Sequence, residues 1–392
     1  MQNKIKPLAK RYLRQCIETR RHLHQNPELS FQEKETSNYI YHKLGELGIQ
    51  NVKRLKYYGL LVTINGKDIG PCILLRADMD ALPIQETNDF VYKSKINNVM
   101  HACGHDAHSA MMIYACKMLT DLKDYWSGTI KVIFQPAEEK IPGGAKLMIE
   151  QGILEYPKVN RVLGQHVAPW MENGEIGVKK GSFMASSDEI YLTFIGSGGH
   201  AAMPHKLVDP LIMASQFMVS AQHLVTRFTD PCIPSVLSFG RIIGSGTTNI
   251  IPEKVELDGT LRTMDEALRE FLINKVKYLA SSVAESFGGL CKVDILNGYP
   301  HLLNDPSFTE TVIGLMQKYT SNIVTVESWM ASEDFAYYAK EVPSCYYLLG
   351  CRNESKAITS QLHTSSFNID ESVMELGMGL MAHLAISNLS QL

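Results

Sequence analysis

The amino-acid sequence predicts an α/β protein in which a three-layer domain is interrupted by a smaller inserted α+β domain. In the first part of the chain, short and continuously apolar runs alternate with helical stretches, which is typical of a sheet covered by helices on both faces. Near Gly181 the pattern changes, and it returns to the first type after residue 298. The length of 392 residues also exceeds what one hydrophobic core usually supports, so at least two domains are expected.

The elements of the first domain follow in order along the chain. Two helical patterns come first, one ended by Pro27 and one by Gly48, over residues 7–26 and 33–47. Apolar runs too short for helices then predict strands that are buried on both faces, with helical stretches between them. These predicted strands are 60–64, 72–77, 130–134 and 162–164, and the helices between them are 107–120 and 144–151.

The inserted domain has alternating strands. From Asp188 to Phe194 apolar and polar residues alternate, as in a strand with only one face in a core. The predicted elements that follow are a helix at 210–227, strands at 235–243 and 254–263, a helix at about 265–287 and a strand at 290–296. We therefore expect one domain from 1–182 and 299–392, and a lid or dimerisation domain from 183–298.

Composition excludes several classes of function. The 38 basic and 41 acidic residues give a net charge of −3, which provides neither a footprint for nucleic acid nor a polybasic tract for a membrane. Residues 1–21 are rich in Lys and Arg and lack an apolar core of secretory length, and no later stretch approaches the eighteen or so apolar residues of a membrane span. The eight cysteines have no small-scaffold spacing, which fits reduced thiols. We expect a cytoplasmic protein with a small-molecule substrate.

A cluster of metal-ligand residue types lies at residues 100–108. Cys103 and His105 flank Gly104, and because glycine has no side chain, both neighbours can reach one ion. The alternative is a loop thiol beside surface histidines. A structural zinc ribbon would need a further pair of ligands spaced as Cys-x-x-Cys or His-x₃-His, and the sequence has no such further pair. Any metal must therefore take ligands from distant segments, which favours a catalytic site.

Three other segments supply such ligands. Glu138 and Glu139 follow the predicted strand 130–134, and since consecutive side chains point apart, one can bind metal while the other takes a proton. Two glutamates on a solvated loop are an equally common reading. His166 ends another predicted strand and His363 lies near the C-terminus. Each histidine taken alone is more often structural than metal-bound.

Read together, the motifs of this chain resemble the hippurate hydrolase and N-acyl-L-amino-acid amidohydrolase subfamily of the aminoacylase and carboxypeptidase dinuclear metallopeptidases. The resemblance covers nearly the whole chain. The segments that carry it are 21–28, 76–83, 100–108, 135–139, 198–205, 249–252 and 332–335.

The resemblance implies a role for each matching position. The residues that match its metal ligands are Cys103, His105, Glu139, His166 and His363. Glu138 matches the general base, and His200 matches a histidine that stabilises the oxyanion in the active site of the other subunit of a dimer. Asn249 and Arg262 match the groups that hold the substrate carboxylate; Arg262 also lies on the outward face of a predicted strand. Asp80 matches an aspartate that lies outside the metal ligands and can form a hydrogen bond with one of the metal-binding histidines.

The implied activity is hydrolysis of the amide bond of an N-acyl-L-amino acid, such as an N-acetyl or benzoyl derivative, by a metal-activated water. The cofactor is expected to be two divalent ions, manganese or zinc first and cobalt or nickel as alternatives, because one thiolate among nitrogen and oxygen ligands accepts all four. A homodimer through the inserted domain is expected. Alternatives are a metallo-exopeptidase or dipeptidase, an N-acetyl-diaminopimelate deacetylase, and a binding protein without catalysis. Asp78 stands where many relatives outside the subfamily have a metal-binding histidine, which leaves the distribution of ligands open.

Overall fold

A computed structural model of the chain describes residues 1–391. The chain divides into two compact units: the first contains residues 1–181, 303–327 and 334–392, and the second contains residues 182–302 and 328–333. In the described part of the chain, no helix combines the length and the apolar character needed to cross a bilayer.

The helices are α1 Gln2–Gln25, α2 Lys34–Glu46, α3 His105–Asp121, α4 Gly144–Glu150, α5 Pro210–Arg227, α6 Glu266–Ser286, α7 Pro306–Tyr319, α8 Ala336–Glu341 and α9 Met374–Leu389. The strands are β1 Val52–Arg54, β2 Leu60–Asn65, β3 Cys72–Asp78, β4 Thr129–Gln135, β5 Arg161–Glu172, β6 Ile176–Val178, β7 Gly181–Met184, β8 Asp188–Ile195, β9 Gly199–His200, β10 Ser235–Ile243, β11 Ile250–Ile251, β12 Lys254–Thr263, β13 Leu290–Asn297, β14 Leu302–Asn304, β15 Ile323–Thr325 and β16 Ser344–Arg352.

The first unit is built on an eight-stranded mixed sheet with the order β1-β2-β4-β3-β5-β16-β6-β15. Every residue of β3 is buried, and β4 and β16 are buried except at one end. Burial of successive residues requires cover on both faces of the sheet, since side chains alternate between them. This confirms the predicted α/β class with helices on both sides.

Four neighbouring strands of this sheet, β4, β3, β5 and β16, run parallel to one another. Their carboxyl ends therefore lie at the same edge, where ligands gather in such sheets. Strand β5 continues to Glu172, well beyond the apolar run 162–164 and the predicted end at His166, and Gln165 and His166 are polar yet buried within it. Helix α1 begins at Gln2 rather than at residue 7, and its early residue Ile5 is buried in the core.

The second unit is an antiparallel sheet with the order β10-β12-β8-β13, covered by α5 and α6. Asp209 and Asp265 cap the two helices by accepting backbone N–H bonds. Strands β9 and β11 form a separate two-stranded ribbon. Residues 328–333 pack with this unit, although the sequence pattern places them in the 299–392 segment, because backbone hydrogen bonds join Trp329 to Phe183 and Ala331 to Ala185.

Candidate metal centre

The turn before α3 places Cys103 and His105 on the same side. Gly104 is the N-cap of α3 and has a left-handed backbone conformation with φ of 84°. A Cβ atom at this position would also collide with the side chain of Val167. Glycine is therefore required for two reasons, and its absence of a side chain allows the loop to lie close to β5.

The end of β4 carries the two glutamates. After Gln135, the backbone passes through Pro136 to Ala137, which has a φ of 52°. Glu138 and Glu139 follow directly; Glu138 is buried and Glu139 is partly exposed. This change of direction ends the strand and brings both glutamates close to His105.

The structure brings together all six side chains that the sequence assigned to the metal ligands and the general base. Three overlapping groups have potential ligand atoms that all lie within 4.8 Å of one another in the group. These groups are Cys103 with His105 and His166, Cys103 with Glu139 and His363, and His105 with Glu138 and Glu139. Cys103, His105 and Glu139 each belong to two of these groups, so these three side chains link the groups into one cluster.

Two of these atoms fit a bound cation because hydrogen bonds leave them unused. Nε2 of His105 and Oε1 of Glu139 are buried and make no hydrogen bond among the described residues, although Oε1 of Glu139 lies within ion-pair distance of His363. Buried polar atoms in native proteins are normally satisfied, and an ion is one of the few explanations for such a pair. A set of one sulfur, several imidazole nitrogens and a carboxylate is also a set that transition-metal ions bind.

Asp80 orients two of the candidate ligands. Its carboxylate and its backbone carbonyl oxygen lie 3.2 Å and 3.0 Å from Nδ1 of His105, which directs Nε2 of that ring away from Asp80. The second carboxylate oxygen accepts the backbone N–H of Glu139 at 3.0 Å and the hydroxyl of Ser30 at 2.7 Å. This is the arrangement expected of a carboxylate behind a metal-binding histidine.

His166 is held by a different set of bonds. Its Nδ1 lies 2.7 Å from the carbonyl oxygen of Val167, and its Nε2 lies 3.4 Å from Sγ of Cys103. The backbone N–H of Val167 donates to Nε2 of His108 at 3.0 Å, so Nδ1 of His108 carries the proton that is donated to Asp78. Arg76 donates to the other oxygen of Asp78.

Asp78 and His108 are therefore occupied by each other and by their neighbours, although they lie close enough to His105 to form a further group of potential ligands. The roles of His108 and Arg76 were not predicted from the sequence. Two signals could have found them: His108 follows His105 by three residues and so lies on the same helix face, and Arg76 is a charged residue inside an apolar strand.

The centre carries excess negative charge. Burial by itself would lower the pKa of His105, yet Asp78, Asp80 and Glu139 raise this pKa to about 10. Burial raises the pKa of the Cys103 thiol well above its usual range, and the charges of Glu139 and Glu138 add to the effect. Without a metal, the site therefore retains protons on both groups; a divalent ion can replace them.

His363 completes the set from the C-terminal segment. Its backbone N–H donates to the carbonyl oxygen of Ala102 at 2.8 Å, which ties it to the Cys103 loop, and its φ is 60°. Its Nε2 lies 3.2 Å from Oε1 of Glu139, and about half of its side chain, 52%, is exposed. His363 is thus the most open of the five candidate ligands.

The second unit holds the other predicted site residues. His200 lies in β9, is exposed, and is paired with Ile250 of β11; Asn249 is joined to the same ribbon, since its carbonyl oxygen accepts the N–H of Ala201. Arg262 lies on β12, is half-buried, and donates to the carbonyl oxygen of Met330 at 3.3 Å. The structure brings His200 and Asn249 together on one ribbon.

Comparison with known proteins adds independent information. The sequence model of peptidase family M20/M25/M40 matches residues 74–387. Thermostable carboxypeptidase 2 of Saccharolobus solfataricus is 38% identical over 94% of each chain. An N-acyl-L-amino acid amidohydrolase of Geobacillus stearothermophilus is 38% identical over 76% of this chain and 80% of its own.

A solved structure is also similar. The YXEP protein of Bacillus subtilis, described as a dinuclear metal binding peptidase from the M20 family, matches 98% of this chain and 100% of its own. The TM-score is 0.85 and the sequence identity is 31%. The fold is therefore shared with a solved structure at substantial sequence identity.

Proposed function

Since the chain belongs to peptidase family M20/M25/M40 and is a hydrolase of this family, we propose that it hydrolyses the amide bond of N-acyl-L-amino acids at a centre of two divalent ions. The observation that carries the proposal is the convergence of four ligand-type side chains on Cys103, with a sixth side chain, Glu138, next to a candidate ligand. The five proposed ligands are Cys103, His105, Glu139, His166 and His363.

Each residue has a distinct task in this proposal. When bound, two divalent ions supply a Lewis acid for the carbonyl oxygen and bring the pKa of a water molecule close to neutrality. Glu138 accepts the proton of that water and returns it to the leaving nitrogen. Its place beside Glu139 supports this role, because a pure binding protein has no need of a second carboxylate there.

The second unit is proposed to contribute substrate contacts. His200 donates a hydrogen bond to the developing oxyanion, acting in the partner subunit of a homodimer, as the family resemblance implies. Arg262 and Asn249 bind the carboxylate of the amino-acid part. A guanidinium can grip a carboxylate with two parallel hydrogen bonds, and Arg262 makes only one long bond, to a backbone carbonyl, among its contacts in the described chain.

A second candidate function is supported by the relatives. Two thermostable carboxypeptidases of Saccharolobus solfataricus are 38% and 36% identical to this chain, so a metallo-exopeptidase or dipeptidase remains the alternative substrate class. N-acetyl-diaminopimelate is a further alternative acyl substrate. Cytoplasmic location and manganese or zinc as the resident metal belong to the proposal as well.

One combined experiment tests the proposal. Purified protein is analysed for bound metals and then assayed against N-acetyl and N-benzoyl amino acids, N-acetyl-diaminopimelate and unblocked dipeptides. We expect metal in the preparation and turnover of the N-acyl compounds that stops on chelation. Turnover confined to unblocked dipeptides would instead identify an exopeptidase, and turnover that survives complete removal of metal would refute the dinuclear mechanism.

A further inference from the structure

The segment that carries Glu138 is held by a carboxyl group on each side. The backbone N–H of Ala137 donates to Oε1 of Glu33 at 2.7 Å, and that of Glu139 donates to Oδ2 of Asp80 at 3.0 Å. Glu138 is thus the residue between two anchored amides. Asp80 is the carboxylate expected from sequence, whereas Glu33 comes from a segment 104 residues away from Ala137.

Ala137 needs such an anchor because its backbone is in an unfavourable conformation. A left-handed conformation costs an alanine roughly 1–2 kcal/mol, and it persists only where the surroundings enforce it. The carbonyl group of Ala137 is fixed as well, since it accepts the N–H of Gly144 at 2.9 Å. Both peptide groups of Ala137 are therefore fixed, and the direction in which Glu138 leaves the backbone depends on this fixation.

The side chain of Glu33 does not cap its own helix; besides Ala137, it interacts with the backbone of Glu33 and Phe31. Glu33 stands at the N-cap of α2, yet its side chain makes no capping hydrogen bond. It is completely buried, and its Oε2 has no hydrogen-bond partner among the described residues. Burying a carboxyl group costs free energy. An exposed serine or aspartate would cap the helix without this cost, so capping alone does not explain a buried glutamate here.

We propose that Glu33 is a positioning residue for Glu138: by accepting the N–H of Ala137 it fixes the strained turn that aims the general base. This inference rests on the proposed function of Glu138. Burial, followed by the charge of Asp80, raises the pKa of Glu33 to about 8. A neutral carboxyl group is therefore favoured near pH 7, and glutamine is its closest substitute in shape and hydrogen bonding.

The test compares three variants of the metal-loaded protein. In Glu33→Ala the N–H of Ala137 loses its acceptor, and we expect kcat to fall by about 10- to 100-fold with little change in KM or metal content, since small misplacements of catalytic groups have effects of this size. Glu33→Gln keeps an acceptor oxygen and should recover most of kcat. The matched control is Glu28→Ala, because Glu28 accepts the N–H groups of Glu35 and Thr36 beside the same helix; it should lower Tm and leave kcat unchanged.

The outcomes separate the possible explanations. If Glu33→Ala lowers kcat no more than Glu28→Ala, at a temperature below both Tm values, Glu33 is merely structural and the inference is wrong. Metal loss in Glu33→Ala would also overturn it. If Glu33→Ala does not fold, Glu33→Asp gives the same test with a shortened acceptor. Activity retained by Glu138→Gln would refute the proposed base itself, whereas an inactive Glu138→Gln beside a fully active Glu33→Ala would refute only the positioning role.

Discussion

The two units hold their candidate functional side chains in different ways. In the first unit, Cys103, His105 and His166 are buried, and each imidazole is oriented by a hydrogen bond to a carboxylate or a backbone carbonyl. In the second unit, His200 and Asn249 are exposed on a short ribbon. The buried candidate ligands are held in position before any ion binds. The exposed side chains of the second unit can act only when they contact a substrate or another subunit. Substitutions should therefore affect metal content in the first unit only.

The largest effect is expected for Glu138→Gln. Removing a general base costs on the order of 10²–10⁴ in kcat, and metal content should remain close to native because Glu138 is not one of the proposed ligands. Steady-state kinetics combined with metal analysis measures both. Glu139→Gln is the matched comparison and should lose metal. If Glu138→Gln loses metal instead, Glu138 is a ligand and the roles of the two glutamates are exchanged.

His200→Ala tests the second unit. Loss of an oxyanion donor costs about 10²–10³ in kcat, and bound metal should not change. Mixing this variant with Glu138→Gln should restore part of the activity through hybrid dimers, each with one intact site. His205→Ala, an exposed histidine of the same segment, serves as the control and should remain fully active. Verified hybrids without any recovery would exclude catalysis across subunits.

Arg262→Lys sharpens the contrast within the second unit. A lysine keeps the charge and loses the paired hydrogen bonds, so KM for N-acyl amino acids should rise about tenfold or more, in line with roughly 1.5–3 kcal/mol for a hydrogen bond to a charged group. The control is Arg241→Lys on the adjacent strand β10, where the arginine pairs with Asp258 and Glu256 at the surface. Equal KM values in the two variants would show that Arg262 does not bind the substrate carboxylate.

The smallest expected effect is a pH dependence of metal affinity at the first unit's candidate metal centre. In the metal-free protein the pKa values of His105 and Cys103 are both raised, so both groups carry protons at pH 7. A divalent ion must displace these protons, and its affinity should therefore increase as the pH rises from 6 to 8. Calorimetry in buffers of different ionisation enthalpy measures the released protons. Metal binding without proton release would show that neither group is a ligand.

The sequence alone predicted the α/β class, and the structure confirms it. Local patterns drew attention to Cys103 and His105 around a glycine and to Glu138 and Glu139 after a buried strand. The full set of candidate ligands came from the family resemblance, because His166 and His363 have little weight taken alone. Strands β4, β3 and β5 are parallel, so Glu138 and Glu139 after β4 and His166 on β5 lie towards the same edge of the sheet. Cys103 and His363 lie on segments outside the sheet, and their positions do not follow from strand order.

The family resemblance had already placed Asp80 behind the ligands, but only the tertiary structure decided which atoms it contacts and which other groups support the ligands. Glu33 reaches Ala137, Asp80 joins His105 to Glu139, and His108 is paired with Asp78. None of these partners can be found from periodicity, since a hydrogen bond between segments far apart depends on how whole layers pack and on which side chains are removed from water. The type of a residue shows which hydrogen bonds or metal bonds its side chain can make, and the packing of the fold determines which groups it makes them with.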